Sequence, residues 1–157
     1  MYYGALEAGG TKMVCAIGDA DKNIIDRISI PTGTPDQSVP AMIDYFKKYD
    51  ISALGIGTFG PADINPNSPT YGSIMRSPKK AWEGFSLYKA FTDALGCLVV
   101  VDTDVNAAAW GEYLYGALKG LNSGMYLTVG TGIGGGIISD GRLIHGMEHP
   151  ELSLIHI

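Results

Sequence analysis

Glycine clusters interrupt the apolar runs of this sequence and limit the folds that it can adopt. The chain has 22 glycines, and many of them fall into four groups: Gly9-Gly10; Gly55, Gly57 and Gly60; Gly130 and Gly132; and Gly134-Gly135-Gly136. Glycine permits positive φ angles and lets a ligand approach the backbone closely. Repeated junctions of strand, glycine and strand therefore predict loops that wrap phosphate groups.

Composition and charge exclude several classes of protein. The 157 residues suffice for one domain with a core, or for a small domain and part of another. The longest apolar run, residues 97–101, is far shorter than the ~20 residues of a membrane-spanning helix. A net charge of −5 argues against a nucleic-acid partner. The N-terminal residues do not resemble a signal peptide, and Cys15 and Cys97 are predicted to be buried, reduced thiols of a cytoplasmic protein.

The order of elements predicts a mixed α/β layer. Residues 2–7, 12–18 and 24–30 are predicted strands, with a tight turn between the first two. Apolar spacing then predicts, in order, a helix at 37–49, a strand at 53–58, a helix at 86–95, a strand at 97–101 and a helix at 104–116. The irregular stretch 60–80 is long enough to suggest a functional loop.

A second unit is predicted to begin at Met125. Residues 125–129 and 135–139 are again two strands around a glycine turn, as at the start of the chain. A two-stranded unit is marginally stable alone, so we expect it to pack on the first lobe or to be left unstable. Helices on both faces of the first sheet complete the expected architecture.

The first candidate site is the turn after the first predicted strand. Glu7 ends the strand, and Gly9, Gly10, Thr11 and Lys12 follow it. Backbone N–H groups in such a turn can hold a phosphate, and the carboxylate can hold Mg²⁺ through water. A plain β-hairpin with a Gly-Gly turn is the alternative.

The second candidate site follows the predicted strand at 125–129. Gly130, Thr131, Gly132 and Gly134 repeat the chemistry of the first turn, as two lobes that close on one nucleotide would require. The spacing also fits a GxGxxG dinucleotide fingerprint. That fingerprint opens a helix, whereas residues 135–141 are predicted as a strand and a turn.

Two further groups of polar residues are candidates. Asp104 follows a predicted buried strand and begins a predicted helix, which also carries Asn106. Its carboxylate could accept a proton from an attacking hydroxyl. Helix capping is the alternative. His149 and Glu151 flank Pro150 and could hydrogen-bond sugar hydroxyls; ordinary surface polarity is the alternative.

Taken in order, these motifs resemble the ROK family of sugar kinases, in its fructokinase branch. Residues 7–12 are similar to the first phosphate loop, with Glu7 where Asp is more usual, and residues 130–136 to the second. The sugar-side loop of the family is similar to residues 55–61 and 65–72, followed by Pro78-Lys79 and Trp82. Thr103 stands where glucokinases of the family have Asn. The resemblance covers residues 2–151.

The resemblance implies an actin-like ATPase (ribonuclease H-like) fold. We expect residues 1–118 to form a complete N-terminal lobe and residues 119–151 the incomplete start of the second lobe. Residues 152–157 are expected to be a non-native tail, because Leu154 stands where the family has its first zinc-binding His. The zinc site of the full-length family is therefore expected to be absent from this chain.

The resemblance also implies a reaction, the phosphorylation of fructose to fructose 6-phosphate with ATP and magnesium. Asp104 would be the general base and Glu7 the Mg²⁺ ligand, while Gly9, Gly10, Thr11, Lys12, Gly130, Thr131, Gly132 and Gly134 would bind phosphate. Gly60, Pro61, Thr103, Asn106, His149 and Glu151 would contact the sugar. A chain of this length is expected to be inactive alone.

Other functions stay open at this point. A glucose, mannose or allose kinase and a non-catalytic sugar-binding protein are the alternatives. A repressor of the family would need a DNA-binding segment before the first phosphate loop, where six residues precede Glu7. Neither nucleic acid nor membrane is an expected partner, and a homodimer of the full-length form is left open.

Overall fold

The computed structural model describes residues 1–130, residues 133–146 and the backbone of residues 152–154. The strands are β1 Tyr2–Ala8, β2 Lys12–Asp19, β3 Ile24–Pro31, β4 Ile51–Thr58, β5 Leu98–Thr103, β6 Gly124–Val129, β7 Ile133–Ser139, β8 Arg142–Leu143 and β9 Leu152–Leu154. The helices are α1 Pro35–Phe46, α2 Leu87–Leu95 and α3 Asp104–Tyr115, with a 3₁₀ turn at Lys80–Trp82. None of the helices in these residues is long and apolar enough to cross a membrane.

The first sheet has five strands in the order β3-β2-β1-β4-β5. β1, β2 and β3 are antiparallel neighbours, as short turns between them require, whereas β4 and β5 run parallel to β1 after helical crossovers. The carboxyl ends of β1, β4 and β5 therefore lie at one edge. The predicted order of strands and helices in this lobe is confirmed.

Helices cover both faces of this sheet, also as predicted. Met42 and Phe46 of α1 and Phe91 of α2 are fully buried in the core cluster on one face. On the other face, α3 lies so close to β4 that a Cβ on Gly57 would be 2.9 Å from the Cβ of Ala107. Gly57 is therefore a packing glycine, and Gly55 and Gly57 both lie within the strand predicted at 53–58 rather than in a phosphate loop.

Two details of the first lobe differ from the sequence prediction. Helix α1 spans Pro35–Phe46 rather than residues 37–49, because Pro35 suits a first helical position and the Gln37 side chain accepts a hydrogen bond from the Thr34 amide at 3.1 Å. Cys15 is buried, and burial raises the pKa of its thiol to about 12, whereas Cys97 is half-buried. The expectation of two buried thiols holds for Cys15 alone.

Side-chain hydrogen bonds hold the irregular segment between β4 and α2. The carboxylate of Asp63, which is 8% exposed, accepts hydrogen bonds from the hydroxyls of Ser68 and Thr70. Trp82, 1% exposed, donates from its indole nitrogen to the carbonyl of Gly33 at 2.9 Å. The segment predicted as a long loop is thus held by hydrogen bonds between its own residues and by one to Gly33, just before α1.

The second sheet packs on α3. β6, β7 and β8 form an antiparallel path, and β9, which lies within the predicted tail, pairs with β7. A Cβ on Gly136 would lie 2.4 Å from the carbonyl oxygen of Val105, so β7 meets the backbone of α3 directly. The expectation that these strands need the first lobe for support agrees with this contact.

Candidate active site

A cavity of about 660 Å³ opens between the part of the first sheet that α3 leaves uncovered, the first turns of α3 and the second sheet. Three carboxylates line it: Glu7 near the end of β1, Asp102 near the end of β5, and Asp104 at the start of α3. The carboxyl ends of neighbouring parallel strands are where open α/β sheets bind ligands. The tertiary structure thus brings together residues that are nearly 100 positions apart.

Asp104 is a half-buried acid at the start of α3. Burial, chiefly, raises the pKa of Asp104, and the negative charge of Glu7 raises it further. A hydrogen bond of 2.9 Å from the amide of Val105 to Oδ1 of Asp104 acts in the opposite direction. A carboxylate held in this way is a stronger base than an exposed one.

The turn between β1 and β2 presents unpaired donors. Within the turn, the amide of Gly9 donates to the carbonyl of Lys12 at 3.0 Å, while the amides of Gly10 and Thr11 have no acceptor among the described residues. From outside, the hydroxyl of Thr32 donates to the carbonyl of Gly9 at 2.8 Å. A fixed turn with free N–H groups is suited to an anion.

The predicted phosphate turn and the cavity are adjacent rather than coincident. Glu7 lines the cavity, whereas Gly9, Gly10, Thr11 and Lys12 lie beyond it at the end of β1. A ligand that touches both would therefore have one part in the cavity and one part over the turn.

Two predicted sugar contacts lie beneath the cavity instead of in its lining. Thr103 is 4% exposed and caps α3, because its hydroxyl accepts a hydrogen bond from the amide of Asn106 at 3.2 Å. Asn106 is fully buried, and its side-chain nitrogen donates to Asp102 Oδ1 at 2.8 Å. Both side chains support Asp102 or the start of α3 in this structure, and their contact with a sugar stays a prediction.

Asp102 joins the two sheets. Its Oδ1 accepts hydrogen bonds from the amide of Thr103 at 2.7 Å and from Asn106, and its Oδ2 lies 3.0 Å from Nε2 of His145. No role for Asp102 or His145 is predicted from the sequence. The Asp-Thr-Asp pattern could have indicated Asp102, whereas His145 is 43 positions away and no sequence pattern links it to this site.

The second glycine segment is only partly a loop. Gly130 is exposed just after β6, whereas Gly134 lies within β7, where a Cβ would be 3.0 Å from Cγ1 of Val105. Gly134 thus lies in a packed strand rather than in a loop, and its predicted contact with phosphate stays a prediction. A strand follows the glycines, so the dinucleotide fingerprint is excluded. Thr131 and Gly132 lie outside the described residues.

The remaining predicted sugar residues are placed as follows. Gly60 is exposed and Pro61 is half-buried, and neither lines the cavity; the carbonyl of Pro61 accepts a hydrogen bond from the amide of Met75 at 2.8 Å. His149 and Glu151 lie outside the described residues. No group of three or more His, Cys, Asp or Glu side chains within the described ranges is close enough to hold a metal ion by itself.

Comparisons with known proteins agree with this arrangement. A protein of Bacillus subtilis (strain 168) is 48% identical over 154 residues, which are 98% of this chain and 52% of that protein. A fructokinase of Pediococcus pentosaceus is 43% identical over 152 residues, 97% of this chain and 53% of its own. The chain therefore spans about half the length of the curated relatives that it matches.

A solved structure extends the likeness to three dimensions. A ROK family glucokinase from Streptomyces griseus, in complex with glucose and AMPPNP, superposes with a TM-score of 0.79 at 31% identity, over 93% of this chain and 47% of that one. The expected actin-like ATPase fold is confirmed by such neighbours. The sequence profile of the ROK family matches residues 3–156, and this chain belongs to that family.

Proposed function

We propose that the protein to which this chain corresponds transfers the γ-phosphoryl group of ATP to a hexose, and to fructose in preference. The observation that carries the proposal is Asp104, a shielded carboxylate in a cavity at the carboxyl ends of parallel strands, two residues after Asp102. Relatives at 43% and 45% identity are named as fructokinases, which supports fructose as the substrate.

The chain's own residues suggest how the transfer proceeds. Asp104 accepts the proton of the sugar hydroxyl as that oxygen bonds to the γ-phosphorus and the bond from phosphorus to the ADP oxygen breaks. The free amides of Gly10 and Thr11 stabilise negative charge on phosphoryl oxygens. Thr103, Asn106 and His145 hold Asp102, which keeps the first turn of α3 in position.

Glu7 fits a role as a Mg²⁺ ligand through water. Its carboxylate is exposed to the cavity, and the described residues hold no dense cluster of metal ligands around it. Mg²⁺ is usually bound by one or two carboxylates together with substrate phosphates and water, and it would neutralise phosphate charge here. Gly130, Thr131 and Gly132 are proposed phosphate contacts, and His149 and Glu151 proposed sugar contacts, in the same scheme.

The decisive experiment is a coupled assay of ATP consumption on a full-length protein, that is, one as long as the curated relatives. We expect turnover with fructose above that with mannose or glucose. Because general-base catalysis is worth ~10²–10⁴-fold, Asp104→Asn should lose about that much turnover. The matched control is Asp93→Asn, which removes an exposed carboxylate paired with Lys89. Near-normal turnover of Asp104→Asn would show that Asp104 is not the base.

The length of the chain bears on activity. The chain covers 52–53% of the relatives described above, and positioning of both reactants contributes several kcal/mol of barrier lowering. We propose that the 157-residue chain alone does not catalyse phosphorylation of a hexose. Sugar phosphorylation by the purified 157-residue chain would refute this point without affecting the assignment of Asp104.

A glucose kinase is the second candidate. The glucokinase of Streptomyces griseus has a similar fold, and a glucokinase of Streptomyces coelicolor is 35% identical over 146 residues. A higher kcat/KM for glucose than for fructose in the same assay would favour this reading. Nucleotide binding without transfer to any hexose would favour a non-catalytic sugar-binding protein.

A further inference from the structure

Lys79 is less exposed to solvent than the other lysines of the chain. It is half-buried, whereas the remaining lysines of the chain, all within the described residues, are exposed: Lys12, Lys22, Lys47, Lys48, Lys80, Lys89 and Lys119. Lysine is almost never buried unless it is paired, because removing an ammonium from water is costly. The partial burial of Lys79 therefore makes an anion a favourable neighbour for its ammonium.

The described residues provide no such anion. Lys80 and Lys89 each contact a carboxylate, on Glu83 and Asp93, but no acceptor for the ammonium of Lys79 lies among the residues that the structure describes. The neighbouring Lys80 thus already has a carboxylate partner, whereas Lys79 has none among the described residues.

Lys79 lies against the turn between β1 and β2. A Cβ built on Gly10 would be 3.4 Å from Cε of Lys79, so the end of this side chain lies beside Gly10, in the turn that carries the free amides of Gly10 and Thr11. Because glycine has no side chain, the backbone at position 10 stays accessible to a ligand. The turn and the lysine come from segments almost 70 residues apart.

The backbone of Lys79 is held on both sides. Its amide donates to the hydroxyl of Ser77 at 3.0 Å, and Ser77 is 4% exposed. Its carbonyl accepts a hydrogen bond from the amide of Trp82 at 2.9 Å. Trp82 packs edge-on against Phe59 and Phe85 in the core, so the lysine projects from a fixed turn.

The surrounding charge makes a cation necessary if a polyphosphate is to bind. The chain has a net charge of −5, and Glu7, Asp102 and Asp104 lie in the adjacent cavity. Like charges at this range repel a polyanion, and backbone N–H groups carry only partial positive charge. Lys79 adds a full charge where the turn needs one, together with exposed Lys12.

We propose that Lys79 is a phosphate-binding residue, whose ammonium completes an anion site with the free amides of Gly10 and Thr11. The ligand class is a polyphosphate, and within the proposed function it is the phosphate chain of ATP. This inference deepens the proposed function and rests on it for the identity of the ligand. The anion site itself rests on the geometry of the turn.

The test is a titration of inorganic tripolyphosphate into the ¹⁵N-labelled 157-residue chain, followed through the amide signals of Gly10 and Thr11. Because a hydrogen bond to a charged group is worth about 1.5–3 kcal/mol, Lys79→Gln should weaken binding roughly 10- to 100-fold. Lys80→Gln, the adjacent and exposed control, should change binding less than about twofold, as a surface charge does.

The outcomes separate this inference from the proposed function. Equal affinity of Lys79→Gln and the unaltered chain overturns it, and so does a lack of tripolyphosphate binding by the unaltered chain. The amide spectrum away from the turn reports whether Lys79→Gln is folded. If Lys79 governs tripolyphosphate binding but the full-length protein transfers no phosphate to any hexose, the anion site stands and the kinase proposal falls.

Discussion

Asp104 is a residue whose proposed role and contribution to stability oppose each other. Burial and the charge of Glu7 both disfavour its ionised form, and the amide of Val105 compensates in part. An acid whose pKa is raised by folding binds its proton more tightly in the folded chain than in the unfolded chain. The ionised carboxylate therefore lowers the free energy of unfolding at neutral pH.

We expect Asp104→Asn to be more stable than the unaltered chain at pH 7. The advantage should shrink as the pH falls through the raised pKa of Asp104, and it should vanish below the ordinary value of 3.8, where the acid is protonated in both states. Urea unfolding of both chains between pH 4 and pH 8 measures this difference in the free energy of unfolding.

The control for this prediction is Asp21→Asn, since Asp21 is exposed. A stability difference for Asp104→Asn that stays constant across this pH range would mean that loss of charge is not its cause. An Asp104→Asn variant that is less stable at pH 7 would mean that the bond to Val105 outweighs burial.

At the scale of elements, the exposed edge of the first sheet is closed by a side chain. β5 is the edge strand next to β4, and the hydroxyl of Tyr71 accepts from the amide of Val101 at 2.8 Å and donates to its carbonyl at 3.0 Å. An unpaired edge invites association with other strands. Tyr71 thereby ties the irregular segment to the strand that leads to Asp104.

Replacement of Tyr71 by Phe should destabilise the chain by about 1–3 kcal/mol, because it leaves two buried backbone groups of Val101 unpaired. Tyr88→Phe is the matched control: its ring is 4.9 Å from that of Tyr71, but its hydroxyl has no partner in the described part of the chain. Chemical denaturation of both variants measures the difference. Equal losses would show that the two hydrogen bonds from Tyr71 to Val101 add nothing to the stability of the chain.

Element boundaries were predictable where the signal is local. The Gly9-Gly10 turn and the apolar periodicity of α2 are properties of short segments, and the corresponding predictions hold. The end of α1 was not predictable from periodicity, since Phe46 is the last helical residue although Tyr49 continues the apolar pattern. Tyr49 instead donates to Asp26 on β3 at 2.6 Å.

At the scale of the whole molecule, α3 is the element that both sheets share. Gly57 lets it approach the first sheet, and Gly136 lets β7 approach it from the second. The contact between Asp102 and His145 spans the same junction. The cavity exists because these three contacts hold the sheets on either side of one helix.

We expect Gly136→Ala to disrupt this junction. Its Cβ would collide with the backbone carbonyl of Val105, and overpacking of this kind costs about 1–3 kcal/mol. Gly55→Ala is the control, since a Cβ there meets nothing within 4 Å. Hydrogen exchange of β6 and β7 should increase in Gly136→Ala alone, and unchanged protection would show that the second sheet does not depend on this contact.

The order of strands and helices, the glycine turn after β1 and the candidate carboxylate Asp104 can be predicted from the sequence, because periodicity, turn residues and spacing are local properties. Tertiary contacts fix which glycines pack against another element, the burial of Thr103 and Asn106 beneath the cavity, and the position of Lys79 beside Gly10. Those outcomes depend on contacts between segments distant in the chain. No pattern within one segment can specify them.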